Sequence, residues 1–266
     1  MHYYLQVTEP NHFIITQFHV DHPFRPDIEV EEWLQHRLGY FEKFCLPSVL
    51  GQTQRKFTWV LFYSPNSPSW VPPYLESIQH EATVAIPLNG YVCNAMIVSA
   101  IKPLLTRPVV ITSRLDSDDA LANDAVDRIH NAITTDGVHA INFTNGLRLT
   151  NSGLLKTKDS SNPFISLVED VRRSPLRTVT SRPHHDMGRV FPVTQIEGSP
   201  GWMQVLHEHN VSNIPAGLPT NPQKYSAMFP GLSETSTWSL SEYYRLVRPD
   251  RVLKRRFREK FASTRR

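Results

Sequence analysis

Four short apolar runs alternate with stretches of helical periodicity over the first half of the chain, and this alternation constrains its architecture most. His12 to Phe18 (HFIITQF), Phe57 to Tyr63 (FTWVLFY), Ala82 to Ile86 and Pro108 to Leu115 (PVVITSRL) each read as a buried strand. Near-continuous apolar runs of this length suit strands covered on both faces. Between them, Val30 to Leu50 carries Trp33, Leu34, Leu38, Phe41, Phe44 and Cys45 at helical spacing, with Pro47 expected to kink or end the helix. Val92 to Leu105 and Ala120 to Thr135 also read as helices. The second of these places Leu121, Ala125, Ile129 and Ile133 on one face and has Asp118 or Asp119 as candidate N-cap. Strands joined by helices pair in parallel through right-handed crossovers. The expected class is α/β: a Rossmann-like, mostly parallel central sheet with helices on both faces.

After Val138 the pattern changes. Ala140 to Thr150 (AINFTNGLRLT) sets Asn145-Gly146 between alternating residues, which predicts a hairpin there, and Asn151-Ser152-Gly153 predicts another turn. Pro163 to Val171 is an apolar run ending in Glu169-Asp170, and Arg177 to Thr180 reads as a further short strand. Proline and glycine between Ser199 and Gly231 predict loops. This second half is expected to be smaller and irregular.

Composition narrows the class. No stretch of the 266 residues approaches the ~20 apolar residues of a membrane span, and the polar N-terminus has no signal-like apolar region. The expected location is the cytoplasm, with peripheral contact at the inner face of the membrane as a variant. Cys45 and Cys93 are the only cysteines. Both are expected to be buried thiols rather than a disulfide or a zinc site. The net charge of +3 conceals an asymmetry: Arg245 to Arg266 holds ten Lys/Arg against two Asp/Glu, which leaves 18 basic and 23 acidic residues, a net of −5, for the rest. A mildly acidic body with a basic tail points to a local patch rather than a nucleic-acid-binding domain. Residues 239–266 read as a basic helix broken near Pro249. Its candidate roles are a solvated helix, a contact with an anionic membrane surface, or a nucleic-acid contact, with packing of its apolar face onto the body as the simplest expectation.

The fourth strand runs directly into Asp116-Ser117-Asp118-Asp119. Three carboxylates at the end of a buried strand need a cation or a dense set of donors. Helix capping uses one of them, or two. Hard divalent cations prefer such ligands, and Mg²⁺ or Mn²⁺ held this way also grips a diphosphate. In open α/β sheets, ligands bind outside the carboxyl ends of the strands, where this cluster lies.

The segment R-L-D-S-D-D-A-L, residues 114–121, resembles the metal motif of GT-A glycosyltransferases, in particular a family of bacterial rhamnosyltransferases related to family 2 enzymes. Arg37 to Trp59, with its Pro47-Ser48 and Gln52-Thr53 elements, is similar to the first helix and following strand of that family. Asn89-Gly90 with Asn94, Asn162 to Glu169, and Trp202 to Asn210 continue the match in the family's order. The resemblance covers His12 to Asn213. It departs from family 2 after the second strand. An Asp that contacts the nucleobase is usual there, and this chain has Tyr63-Ser64-Pro65-Asn66-Ser67, leaving Ser64, Asn66 or backbone groups for that task.

The resemblance implies a GT-A-like domain over residues 1–238, with a nucleotide-sugar-binding half (1–137) and an acceptor-binding half (138–238). Asp118 would bind Mn²⁺ or Mg²⁺ most directly, Asp116 would act on the ribose or the cation, and Asp119 would support the loop. Arg37, Arg114 and Asn94 would contact the donor, which is dTDP-, UDP- or GDP-linked. Glu169, or its neighbour Asp170, would be the base that deprotonates a saccharide or lipid-linked acceptor during an inverting transfer. Of His184, His185, His207 and His209, His185 or His207 would complete the metal shell. The activity implied is transfer of a sugar to a saccharide hydroxyl, with L-rhamnose the sugar that the family's name suggests. Two other classes fit the bare carboxylates: a Mg²⁺-dependent phosphohydrolase or nucleotidyltransferase, and a non-catalytic module stabilised by a bound metal. No G-x-x-x-x-G-K-[ST] phosphate loop is present, which weighs against a nucleoside triphosphatase.

Overall fold

The computed structural model describes residues 9–21, 30–79, 82–134, 137–151, 153–207 and 215–232. The basic tail and His209 lie outside the described residues. Among those described, no helix is long and apolar enough to cross a membrane.

The first half runs β1 (Asn11–His19), α1 (Val30–Tyr40), a π-helical turn (Phe41–Cys45), α2 (Leu46–Leu50), β2 (Thr58–Tyr63), α3 (Val71–Ser77), β3 (Thr83–Pro87), α4 (Asn94–Ile101), β4 (Val109–Arg114), β5 (Ala120–Leu121) and α5 (Ala125–Asn131). The second half adds β6 (His139–Phe143), β7 (Asn145–Thr150), β8 (Gly153–Lys158), β9 (Ser166–Asp170), α6 (His184–Val190), β10 (Val193–Ile196), β11 (Trp202–Val205) and β12 (Leu218–Thr220). Seven strands form the main sheet in the order β10-β6-β9-β4-β1-β2-β3. All pair in parallel except β9, which is antiparallel to both β4 and β6. A second sheet has the order β12-β8-β7-β11-β5.

The strand alternation divides the core in two. Ile14, Trp59, Leu61, Ile111 and Val168 face the layer of α1, α2, α3 and α5. Phe13, Ile15, Val60, Val110 and Leu167 face the layer of α4 and α6. Both faces of the main sheet are thus covered, which is why its strands read as continuous apolar runs.

Several sequence expectations are corrected by tertiary context. The helix expected over Val30 to Leu50 exists, but Pro47 does not break it. Pro47 lies in the first turn of α2, where a missing N–H is tolerated, and the π-helical turn directly precedes it. The helix expected from Ala120 begins only at Ala125, because Ala120 and Leu121 pair with Met203 and Trp202 as a short antiparallel ladder. Its N-cap is Asp124, so neither Asp118 nor Asp119 caps it. Asn145-Gly146 is not a hairpin turn: β6 and β7 belong to different sheets, and the hairpin is β7–β8, closing between Thr150 and Gly153. Around Val179 the chain makes a 3₁₀ turn rather than a strand. Cys45 is buried as expected, but Cys93 is exposed.

A buried polar line crosses the sheet. His130 on α5 meets His12 Nδ1 at 3.0 Å, His12 Nε2 meets Ser113 Oγ at 2.7 Å, and Ser113 Oγ meets Ser166 Oγ at 2.6 Å. Burial holds His12 well below the usual histidine range, and His130 is lowered for the same leading reason. The unfolded chain therefore takes up protons near pH 6.5 that the folded chain refuses. Stability is expected to fall as pH drops below that value, by about 1.4 kcal/mol per pH unit for each such proton. Urea unfolding at pH 8, 7, 6 and 5 of the unsubstituted protein and of His12→Asn measures this, since the raised Asp119 and Glu169 carboxyls act in the opposite sense in both. Identical slopes from pH 7 to 5 in the two proteins would contradict it.

Candidate active site

β2 and β3 lie on one side of β1, and β4 lies on the other. The strand order reverses between β1 and β4, so the crevice at their carboxyl ends is where an open α/β sheet binds ligands. The acidic loop that follows β4 occupies this place. It is tight, with Asp119 N donating to Asp116 O at 3.1 Å.

Asp118 is only 3% exposed and is gripped from two sides. Arg37 Nη2 donates to its Oδ1 at 2.9 Å, and His207 Nε2 donates to its Oδ2 at 2.9 Å. Arg37 also donates to Ser117 Oγ from Nη2 at 2.8 Å and lies over the Trp33 ring, 4.8 Å from its centroid. His207 stacks on Tyr40 at 4.4 Å between centroids, with the rings 12° from parallel. One face of α1 thus presents Trp33, Arg37 and Tyr40 to the loop, at spacings of four and three residues. Burial alone would raise the Asp118 carboxyl, but the His207 hydrogen bond and the Arg37 charge outweigh it and bring the group below its usual range.

Asp119 is buried beside it, and Val205 N donates to its Oδ1 at 2.8 Å. Burial, together with the charges of Asp118 and Asp116, pushes its carboxyl well above the usual range. Asp116 faces solvent and holds Arg114 in a bidentate pair at 3.0 and 2.9 Å.

The donor chemistry fits a divalent cation. A buried carboxylate and an imidazole meet at one point; with the Nε2 proton displaced, the pair would offer an oxygen and a nitrogen lone pair suited to Mn²⁺ or Mg²⁺. Among the described residues no three His, Cys, Asp or Glu side chains converge as a ready-made shell. An ion at Asp118 and His207 would draw its remaining ligands from water and from phosphate oxygens, as Mg²⁺ commonly does.

The structure brings together Arg37, Asp118 and His207, with Arg114 and Asp116 on the rim. It separates the others. His185 points outward with a side chain 64% exposed and lies 3.6 Å from Asp186, so its expected place in a metal shell is corrected. Its neighbour His184 is the one that feels the rim: burial, then the Arg114 charge, lower it below the usual histidine range.

Glu169 and Asp170 are corrected as well. Because β9 is antiparallel to β4, Glu169 pairs with Val110 and Asp170 with Val109, at the amino end of β4. Six residues of strand rise, about 20 Å, separate that level from Asp116. Glu169 instead accepts from Arg177 N at 3.0 Å and Thr178 N at 2.9 Å. Burial raises its carboxyl despite these bonds. Asp170 is pulled down to about 2 by its hydrogen bonds with Arg172. Asn94 joins the Glu169 network rather than the acidic loop. Its Oδ1 accepts from the Thr178 and Thr180 hydroxyls at 2.7 and 3.0 Å, on the sheet face opposite α1. Thr178 has φ of 65°, which a β-branched residue avoids, and these bonds hold it there. Glu169→Gln is therefore expected to cost about 1–3 kcal/mol of stability and to leave turnover within a few-fold, whereas a lost general base would cost about 10²–10⁴-fold. Thermal unfolding and turnover at saturating donor and acceptor separate the two.

Ser117, Trp33 and Tyr40 were not singled out from the sequence as site residues. For Trp33 and Tyr40 the only signal was the helix face shared with Arg37, which also reads as an ordinary packing stripe, whereas Ser117 lies within the acidic loop itself.

The family described as "Putative rhamnosyl transferase" matches residues 28–218. No curated protein matches the chain. Among solved structures, TarS 1–349 of S. aureus in complex with UDP-GlcNAc is similar over 81% of this chain and 63% of its own, at 9% identity and a TM-score of 0.50. The mannosyltransferase PcManGT from Pyrobaculum calidifontis, in complex with GDP-Man and Mn²⁺, is similar over 77% of this chain and 59% of its own, at 10% identity and a TM-score of 0.45. The chain thus spans less than two thirds of either protein.

Proposed function

This chain belongs to the rhamnosyl transferase family and is a glycosyltransferase of GT-A-like fold, and from that premise we propose that it moves L-rhamnose from a nucleoside-diphosphate donor to a saccharide hydroxyl, with a divalent cation and with inversion. The observation that carries this reading is Asp118, held between Arg37 and His207 at the point where the strand order reverses. Asp118 and His207 are the residues that would hold the cation. When bound, such a cation offsets the charge that develops on a departing diphosphate. Arg37 and Arg114 add fixed positive charge beside the same oxygens, and Asp116 on the rim is available to the ribose.

The inverting course follows from the resemblance to family 2 enzymes. The acceptor oxygen bonds to the anomeric carbon, the bond to the donor phosphate oxygen breaks, and the hydroxyl proton passes to a base. Glu169 and Asp170 lie at the wrong end of the sheet for that task. The rhamnose donor is supported by the family description alone. A lipid-linked acceptor approached through the basic tail belongs to the same proposal.

The test is incubation with dTDP-rhamnose and a panel of UDP- and GDP-sugars, with and without Mn²⁺, followed by assay of nucleoside diphosphate and of the anomeric configuration of the product. Release of phosphate or pyrophosphate instead would replace this reading with phosphohydrolase or nucleotidyltransferase chemistry.

A further inference from the structure

Beyond the end of β2, the segments leaving β1 and β3 meet. β2 stops at Tyr63, and Asp21, two residues past β1, bridges in parallel to Tyr91, four residues past β3. Ser64, the first residue after β2, directs its hydroxyl into this junction. Its Oγ donates to Asp21 Oδ1 at 2.7 Å and accepts from Asn66 N at 3.1 Å, while Ser64 N donates to His19 O at 2.6 Å. The segments leaving three strands therefore meet at Asp21, and the serine that holds its carboxylate is fully buried. Beside them Tyr91 leaves an aromatic side chain 64% exposed.

The junction lies on the same carboxyl edge as the acidic loop. Ile15 is level with Arg114 and β1 bulges between Gln17 and His19, so Asp21 stands about three residues of strand rise beyond the level of Asp116, roughly 10 Å. A nucleotide whose diphosphate sits at the acidic loop has its nucleoside to place over that distance.

We infer that Asp21 reads the nucleobase of the donor, accepting a hydrogen bond from a ring N–H, with Tyr91 as the stacking surface beside it. This rests on the nucleotide-sugar reading of the acidic loop. Uracil and thymine present N3–H and guanine presents N1–H, each a donor to a carboxylate. Cytosine and adenine present a ring-nitrogen lone pair at the corresponding edge, which a carboxylate repels. Ser64 occupies one lobe of Oδ1 and fixes the plane of the group, so the selection is geometric as well as electrostatic. Specificity for uridine, thymidine or guanosine donors over cytidine and adenosine donors follows.

The experiment is equilibrium binding of UDP, dTDP, GDP, CDP and ADP to the full chain in the presence of Mn²⁺, with pyrophosphate as the base-free probe. The unsubstituted protein is expected to favour at least one of UDP, dTDP and GDP over CDP and ADP by about 10–100-fold, the scale of a hydrogen bond to a charged group. Asp21→Asn is expected to remove most of that ratio, because an amide turns to offer either donor or acceptor, and to leave pyrophosphate affinity unchanged. Ser64→Ala is expected to shift the ratio in the same direction by less. The inference is overturned if Asp21→Asn keeps the original preference, if the unsubstituted protein shows none, or if pyrophosphate and nucleotide affinities fall together. Failure of every nucleotide to bind the unsubstituted protein would instead remove the nucleotide-sugar reading, and this one with it.

Discussion

Asp118→Asn is expected to lower sugar transfer at saturating donor by about 10²–10³-fold, the scale of losing one preorganised electrostatic contact, while the protein stays folded. Asparagine keeps the shape of the side chain: its amide oxygen accepts from Arg37, and its NH2 faces His207 Nε2, which accepts in the other neutral tautomer. It removes the charge that Arg37 faces at 2.9 Å and that would bind a cation. Asp118→Ala has a second effect. The Arg37–Asp118 pair is largely buried, with side chains 15% and 4% exposed, and breaking such a pair from one side costs about 3–5 kcal/mol. At about 2–4 °C per kcal/mol for a chain of this size, the alanine variant should melt about 6–20 °C lower. Nucleoside diphosphate release and calorimetry on both variants separate the two effects. An asparagine variant that transfers sugar at the original rate would remove Asp118 from the chemistry.

Gly146→Ala is expected to damage the fold by overpacking it, away from the acidic loop. A Cβ at Gly146 would sit 2.1 Å from the Trp202 ring. Trp202 has little room to retreat. It is stacked on Phe164 at 4.9 Å, and its Nε1 donates to Phe143 O at 2.9 Å. Overpacking a fixed core of this kind costs about 3 kcal/mol or more, which corresponds to a fall in melting temperature of about 6–12 °C. Had Asn145-Gly146 formed an exposed hairpin turn, alanine would have met no ring, and the loss would be limited to the backbone preference of about 1 kcal/mol. A thermal scan of this one variant distinguishes the two placements.

That glycine also shows where the sequence misleads. Asn-Gly between alternating residues is a local signal, and β6 and β7 do alternate. Their assignment to different sheets depends on Trp202, more than fifty residues away. The first four strands were legible because burial on both faces leaves an apolar run that needs no partner to be recognised. Ala120 and Leu121 read as helix because the two-residue ladder with β11 leaves no periodicity of its own.

The acidic loop stood out because charge at the end of an apolar run is locally visible. Arg37 and His207 were named among its candidates, and the structure sets both against Asp118. Glu169 went astray for a different reason. Its distance from the loop is fixed by the antiparallel register of β9 against β4, which no spacing within its own segment encodes. Asp21 carried no motif at all. It gains a candidate role only because two strand ends close over a third.

The tie between Asp119 and Val205, reinforced by the ladder of β5 on β11, makes the candidate site indivisible. The loop that carries Asp118 is stitched to strands on either side of residue 137, and β6, β9 and β10 complete the sheet that supports it. The first half of the chain is therefore not a transplantable module. Exchanging residues 1–137 between relatives would exchange half of a seam, and any chimaera must carry β11 along with the acidic loop.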